Sequence, residues 1–282
     1  MKLQLLGVMV LGSVGLVALP ACEEGPVMRY KRAPATTPAP GQPETQAVPA
    51  AREESPPVPR GPTGSLRGTV TFKGVAPTPA AMAFSSDPAC EGMERTDQSV
   101  RVKNGRLENA LVRVRGEVKG QPSTPVPPAV IDQHQCTYRP RVQGAVAGQP
   151  VVIKNSDGTL HNVRGYAGAK SVFNVAQPPM AKAMQRPLPM DVEVIRLKCD
   201  IHSWMTAWVV VNPNPYFATT NAEGSFDLEE VPVGTYTLEA WHEALGTKTA
   251  QVTVKEGQQA TVAFEFSAND LKPASATAAG PK

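Results

Sequence analysis

The chain has 282 residues, 29 of them proline, and only 5% are aromatic. That length accommodates two modest domains beside segments too proline-rich to join a core. With 28 basic and 25 acidic residues the formal charge is +3, too weak a field to argue for a nucleic-acid partner.

Residues 1–21 read as an export signal: Lys2, then an apolar run through Leu5, Val8 and Val10 to Val17, ending Leu19-Pro20-Ala21 before Cys22. This ending resembles the lipobox of bacterial lipoproteins. The resemblance implies that Cys22 carries the lipid and anchors the chain on the periplasmic side of the cell envelope. Glu23 after it is compatible with the outer membrane. An ordinary signal peptide with an incidental cysteine is the alternative. No other stretch is long and apolar enough to span a bilayer. Residues 22–64 hold ten prolines and no apolar period, the composition of a disordered tether reaching on the order of 130 Å.

Strand-like text begins at Ser65. Leu66-Arg67-Gly68-Thr69-Val70-Thr71-Phe72 alternates, as does Ala110-Leu111-Val112-Arg113-Val114-Arg115. Between them, within residues 65–127, lies an irregular span holding Cys90. Once Cys22 and Cys199 are assigned elsewhere, Cys90 and Cys136 remain. In an oxidising compartment they suit a disulfide; two free thiols are the alternative.

Residues 128–212 form the next unit. A strand is expected from Val130-Ile131 and continuing through Tyr138 and Val142, then a turn at 147–150, then a strand from Val151 to Asn155. Residues 174–190, rich in Pro and Met, read as a loop. Val192 to Lys198 alternates into Cys199, and Met205 leads into Ala207-Trp208-Val209-Val210-Val211. Cys199, His202 and Met205 are thus spaced C-x2-H-x2-M between two strands, and Leu160-His161-Asn162 supplies a second histidine.

A thiolate and two imidazoles in a trigonal set, with a weak axial thioether, suit copper. Zinc, the competitor, prefers four strong ligands and gains little from a thioether. The pattern resembles the blue copper proteins (cupredoxins), most closely the amicyanin type. The resemblance implies a cupredoxin-like Greek-key β-sandwich with one mononuclear type 1 copper. Cys199, His161 and His202 would be equatorial ligands and Met205 the axial one. Asn162 would tie the ligand loops together by hydrogen bonds. It also implies electron transfer with redox protein partners that the sequence does not identify. The outer edge of His202 would be the electron port, and Trp204 with Pro178-Pro179-Met180 either its apolar rim or, for Trp204, core. No His-x-His, C-x3-C, HExxH or triad order occurs, so an enzyme is not expected. An anchored binding or assembly module, its copper structural or sequestered, is the rival. His134 and His242 read as surface or packed residues.

Residues 213–267 carry dense turn signals, at Asn221-Ala222-Glu223-Gly224 and Val231-Pro232-Val233-Gly234, between short alternating runs. They resemble the carboxypeptidase regulatory-like (transthyretin-like) domains, a second small antiparallel sandwich in an all-β chain. The strands that open that family's pattern match Gly68-Thr69-Val70 and Ala110 to Val114. The copper unit is then either inserted into this sandwich or merely precedes it. Residues 268–282 read as a disordered tail.

Overall fold

The computed structural model describes residues 61–83, 87–92, 96–120 and 126–272. The signal segment, Cys22, the tether up to residue 60 and residues 273–282 lie outside them. No helix among the described residues is long and apolar enough to cross a membrane.

The described chain is all-β. Strands β1 (Thr63–Lys73), β2 (Val102–Lys103), β3 (Arg106–Leu107) and β4 (Leu111–Val114) come first. The next nine are β5 (Ala129–His134), β6 (Thr137–Arg139), β7 (Val142–Val146), β8 (Pro150–Asn155), β9 (His161–Ala167), β10 (Lys170–Gln177), β11 (Met184–Pro187), β12 (Val194–Lys198) and β13 (Thr206–Asn212). The last five are β14 (Phe217–Thr219), β15 (Ser225–Pro232), β16 (Gly234–His242), β17 (Gly246–Val254) and β18 (Gln259–Ser267).

Four sheets make two sandwiches. The orders β10-β9-β12-β13-β7 and β11-β8-β5-β6 enclose one core, which includes Ile131, Ile153, Val163, Leu197 and Met205. The orders β15-β1-β3-β2, with β18 also on β1, and β14-β4-β16-β17 enclose another, around Leu66, Val112, Leu238 and Phe266. The second sandwich is built from both ends of the described chain. β1 pairs antiparallel with β15 and parallel with β18, and β4 pairs with β14 and β16. Residues 129–212 form the first sandwich between those two halves.

Alternation explains most strands, because a half-buried strand needs apolar side chains on one face only. β4 breaks the pattern: all four of its residues are buried. Val112 and Val114 face their own core, while Leu111 joins Val142, Val210 and Trp241 in a small cluster between the sandwiches. Arg113 shares the outward face with Leu111. It is 2% exposed, binds Glu239 at 2.6 Å and reaches Glu193, just before β12, at 3.1 Å. On the other side of the contact, Arg141 donates to Glu243 at 2.5 and 2.9 Å, and Trp208 Nε1 donates to the same carboxylate at 2.8 Å. Buried ion pairs add little net stability, but breaking one is costly, so they fix how the surfaces meet. Gly144 on β7 lets them close: a Cβ there would lie 2.2 Å from the Phe217 ring.

Four expectations change. The run from Val130 to Val142 is a hairpin rather than one strand. Gln135 and Cys136 take the positive φ values of a two-residue turn, 53° and 50°, and their N–H groups donate to the Asp157 carboxylate. The span 174–190 is not simply a loop, because β10 runs on to Gln177 and β11 pairs with β8 as an edge strand, where proline is tolerated. β1 starts at Thr63, inside the expected tether. The expected tail from 268 begins with structure: Ala268–Asp270 is a 3-10 turn closed by a capping box with Ser267, and Lys272 N–H donates to Ala244 O at 2.9 Å.

Cys90 and Cys136 are joined, their Cα atoms 5.5 Å apart and their sequence separation 46. In the chain-entropy account a loop of that length contributes about 4 kcal/mol. The bridge fastens the connection between β1 and β2, two strands of the second sandwich, to the β5–β6 turn of the first, where Cys90 joins the first core.

Candidate metal centre

The β12–β13 ladder, paired from Val194↔Val210 to Lys198↔Thr206, holds both ends of the 199–205 loop. Within the loop, Met205 N–H donates to His202 O at 3.0 Å and His202 N–H points at Cys199 Sγ at 3.4 Å. The second loop, 156–160, is wound around Asn155. Its Oδ1 accepts from Asp157 N–H, and its Nδ2 donates to Thr159 O and Gln177 O. This delivers His161 at the first position of β9.

The two loops bring Cys199, His161 and His202 together, all buried, with one ligand atom from each within 4.8 Å of the others. Cys199 Sγ lies 3.8 Å from His202 Nδ1. Met205, the last residue of the same loop, is buried. Asn162 bridges the loops: its Oδ1 accepts from Asp200 N–H at 2.7 Å and meets Cys199 Sγ at 3.3 Å. Its Nδ2 donates to Asn174 Oδ1 and Asp200 Oδ2. Tyr138 O–H donates to Asn162 O at 2.5 Å, and burial raises that phenol well above its ordinary pKa, keeping it a donor.

The histidines carry the decisive geometry. His161 Nε2 is 2.9 Å from Asp157 Oδ2, and His202 Nε2 is 3.0 Å from Asp87 Oδ2. The Ala89 N–H, foremost, holds the Asp87 carboxyl below its usual range, so it is an anion there, and Thr159 O–H also donates to it. A carboxylate only accepts, so each imidazole places a proton on Nε2, and a neutral ring then has a bare lone pair on Nδ1. Yet the two Nδ1 atoms face each other at 2.8 Å. Two lone pairs at that distance repel unless a proton or a metal cation joins them. Burial pushes His161 below its ordinary pKa, which favours a neutral ring with a free lone pair. Two nitrogen lone pairs and an adjacent sulfur, with their outer hydrogen bonds made, form a donor set for a thiophilic metal cation. Two other His/Cys/carboxylate groupings share these residues, but their sulfurs belong to the Cys90–Cys136 disulfide.

One expectation about the rim is corrected, and one of two alternatives is selected. His202 exposes no edge: its accessibility is 0%, and the Asp87 carboxylate lies 3.0 Å from its Nε2. Trp204 is buried, 5.0 Å from the His202 ring, and its Nε1 donates to Cys136 O at 3.0 Å, so it packs in the core. Met180 remains highly exposed, and Leu160 and Ile201, each one residue before a site histidine, are exposed too. His134 is half exposed and His242 fully buried. Neither reaches the cluster. Asp87 and Asp157 were not foreseen. The only signals for them are that Asp157 lies four residues before His161 and Asp87 three before a disulfide cysteine.

Residues 207–267 match the family described as carboxypeptidase regulatory-like domain. The match begins inside β13 and runs to the end of β18, so β1 and β4 complete that sandwich from outside it. No curated protein matches the chain. Among solved structures, a proline-to-glycine mutant of amicyanin in its reduced Cu(I) form is 23% identical over 32% of this chain and 87% of that one, with a TM-score of 0.26. A purple cupredoxin from Nitrosopumilus maritimus is 21% identical over 30% of this chain and 99% of that one, with a TM-score of 0.24.

Proposed function

We propose that this chain is a type 1 copper electron carrier, tethered to the periplasmic side of a bacterial envelope through a lipid on Cys22. The facing Nδ1 lone pairs beside the Cys199 sulfur carry the reading. A bound copper would supply one-electron chemistry between Cu(I) and Cu(II). The protein's part is to fix the donors. Asp157, Asp87 and Asn162 orient the two rings and the thiolate, and the β12–β13 ladder holds the loop ends. Burial excludes water. Such fixed donors reorganise little between oxidation states, which favours fast transfer. With Met205 as the axial fourth donor, no position is left for a substrate, so the reading does not include an enzyme. Leu160, Ile201 and Met180 supply the exposed apolar contact for redox protein partners.

Visible and electron paramagnetic resonance spectra of the copper-loaded protein test this reading. An intense thiolate-to-copper band and a narrow copper hyperfine splitting are expected. A colourless Cu(II) protein overturns it. Replacing Met205 with Leu should keep the colour and raise the reduction potential, because a thioether donates weakly and favours Cu(II), while Leu donates nothing. The near-equal volume limits the packing cost to less than about 1.5 kcal/mol. Voltammetry giving an unchanged or lower potential removes Met205 from the site.

The covered His202 edge favours a second reading, a centre that holds copper without passing electrons. Sluggish reduction of the blue protein by small reductants would select it.

A further inference from the structure

We infer that Asp87, from the connection between two strands of the second sandwich, is a positioning residue of the metal centre, which both closes the His202 edge and lowers the potential of the bound copper. The inference rests on the copper reading above. Asp87 belongs to the β1–β2 connection, 115 residues from His202 in sequence. Its Oδ1 accepts from Ala89 N–H at 2.9 Å, and its Oδ2 meets both Thr159 Oγ1 and His202 Nε2 at 3.0 Å. Three residues on, Cys90 bonds covalently to Cys136, whose N–H donates to Asp157, the partner of His161. One fastening therefore sets the carboxylates behind both histidines.

The physical effect has two parts. A carboxylate accepting from the far N–H of a ligand imidazole makes the other nitrogen a stronger donor and fixes the ring's tautomer. Its negative charge also favours the more positive state of the ion. Both effects stabilise Cu(II) over Cu(I). Separately, the carboxylate occupies the place where a partner or solvent would otherwise touch the imidazole, so electrons cross elsewhere on the rim.

Asp87→Asn keeps one oxygen to accept from Ala89 N–H, puts an amide NH2 beside Thr159 Oγ1 and His202 Nε2 in place of the second oxygen, and removes the charge. The expected result is a blue protein whose Cu(I)/Cu(II) ratio at fixed poise rises about tenfold, equivalent to about 59 mV for one electron. Asp87→Ala should in addition open the ring edge. In the metal-free protein, diethyl pyrocarbonate followed by peptide mapping should modify His134 but not His202 in wild type, and both in Asp87→Ala. A wild type that binds copper without turning blue indicts the copper reading instead. A blue wild type whose Asn variant keeps the same potential, or an Ala variant whose His202 stays unreactive while His134 reacts, overturns the role given to Asp87.

Discussion

Cys199→Ser should give a copper-treated protein with no thiolate-to-copper band. The band arises from sulfur orbitals high enough in energy to mix with the copper d shell, and serine oxygen is too hard a donor to replace them. The loop itself should persist. Its ends are pinned by the five-pair β12–β13 ladder, and Asn162 still grips Asp200 N–H. The substitution exchanges a buried thiol for a buried hydroxyl, at about 1–3 kcal/mol if the hydroxyl finds no partner. Absorption spectra and thermal melts of both proteins separate the two effects. A variant that stays blue sinks the assignment, and a variant that fails to fold shows that Cys199 also serves as structure.

The second large effect concerns acid. His242 ends β16 fully buried, with Nδ1 accepting from Ala244 N–H at 3.3 Å and no partner for Nε2 among the described residues. Burial, then the charges of Arg141 and Lys272, push its pKa down to about 3. The unfolded chain binds the proton near pH 6.5 and the folded protein does not, so stability falls as pH drops through that window. The loss is about 2 kcal/mol at pH 5 and about 4–5 kcal/mol by pH 3. His242→Leu should begin less stable at neutral pH, by about 1 kcal/mol for the lost Ala244 bond. Between pH 7 and pH 5 it should lose about 2 kcal/mol less than wild type. Urea titrations at the two pH values decide this, and equal losses in both proteins refute it.

Strands with a clear period of two, such as β1, β15 and β18, were legible in the sequence, as was the C-x2-H-x2-M hairpin, because local chemistry determines both. Legibility ended where a distant segment decides. Arg113 looks like a solvent-facing residue, since nothing near it announces that the other sandwich will cover that face. Gln135 and Cys136 carry no glycine to mark their turn; the Asp157 carboxylate satisfies it from another loop. His202 looks exposed until Asp87 is brought over it, and that placement depends on which cysteines pair. That Cys199, His161 and His202 come together was readable because they are close in sequence or carry a motif, whereas the groups behind them arrive through tertiary structure.

The interrupted sandwich also constrains the order in which the chain can fold. β1 must wait for β18, roughly 190 residues later, before it gains its parallel neighbour, and ring closure over such a distance in a flexible chain is entropically slow. The intervening sandwich, residues 129–212, has all nine of its strands ahead of β18 in the chain, so a chain exported from its N-terminus delivers it first. Its two ends emerge side by side, since Phe217 pairs with Arg113 across β14 and β4. Once it is folded, the chain left to close between the halves of its host falls from residues 115–216 to the two connections 115–128 and 213–216. The inner sandwich then serves as the template on which the host assembles, so a lesion in its core should delay maturation of both sandwiches, while a lesion in β18 should spare the inner one.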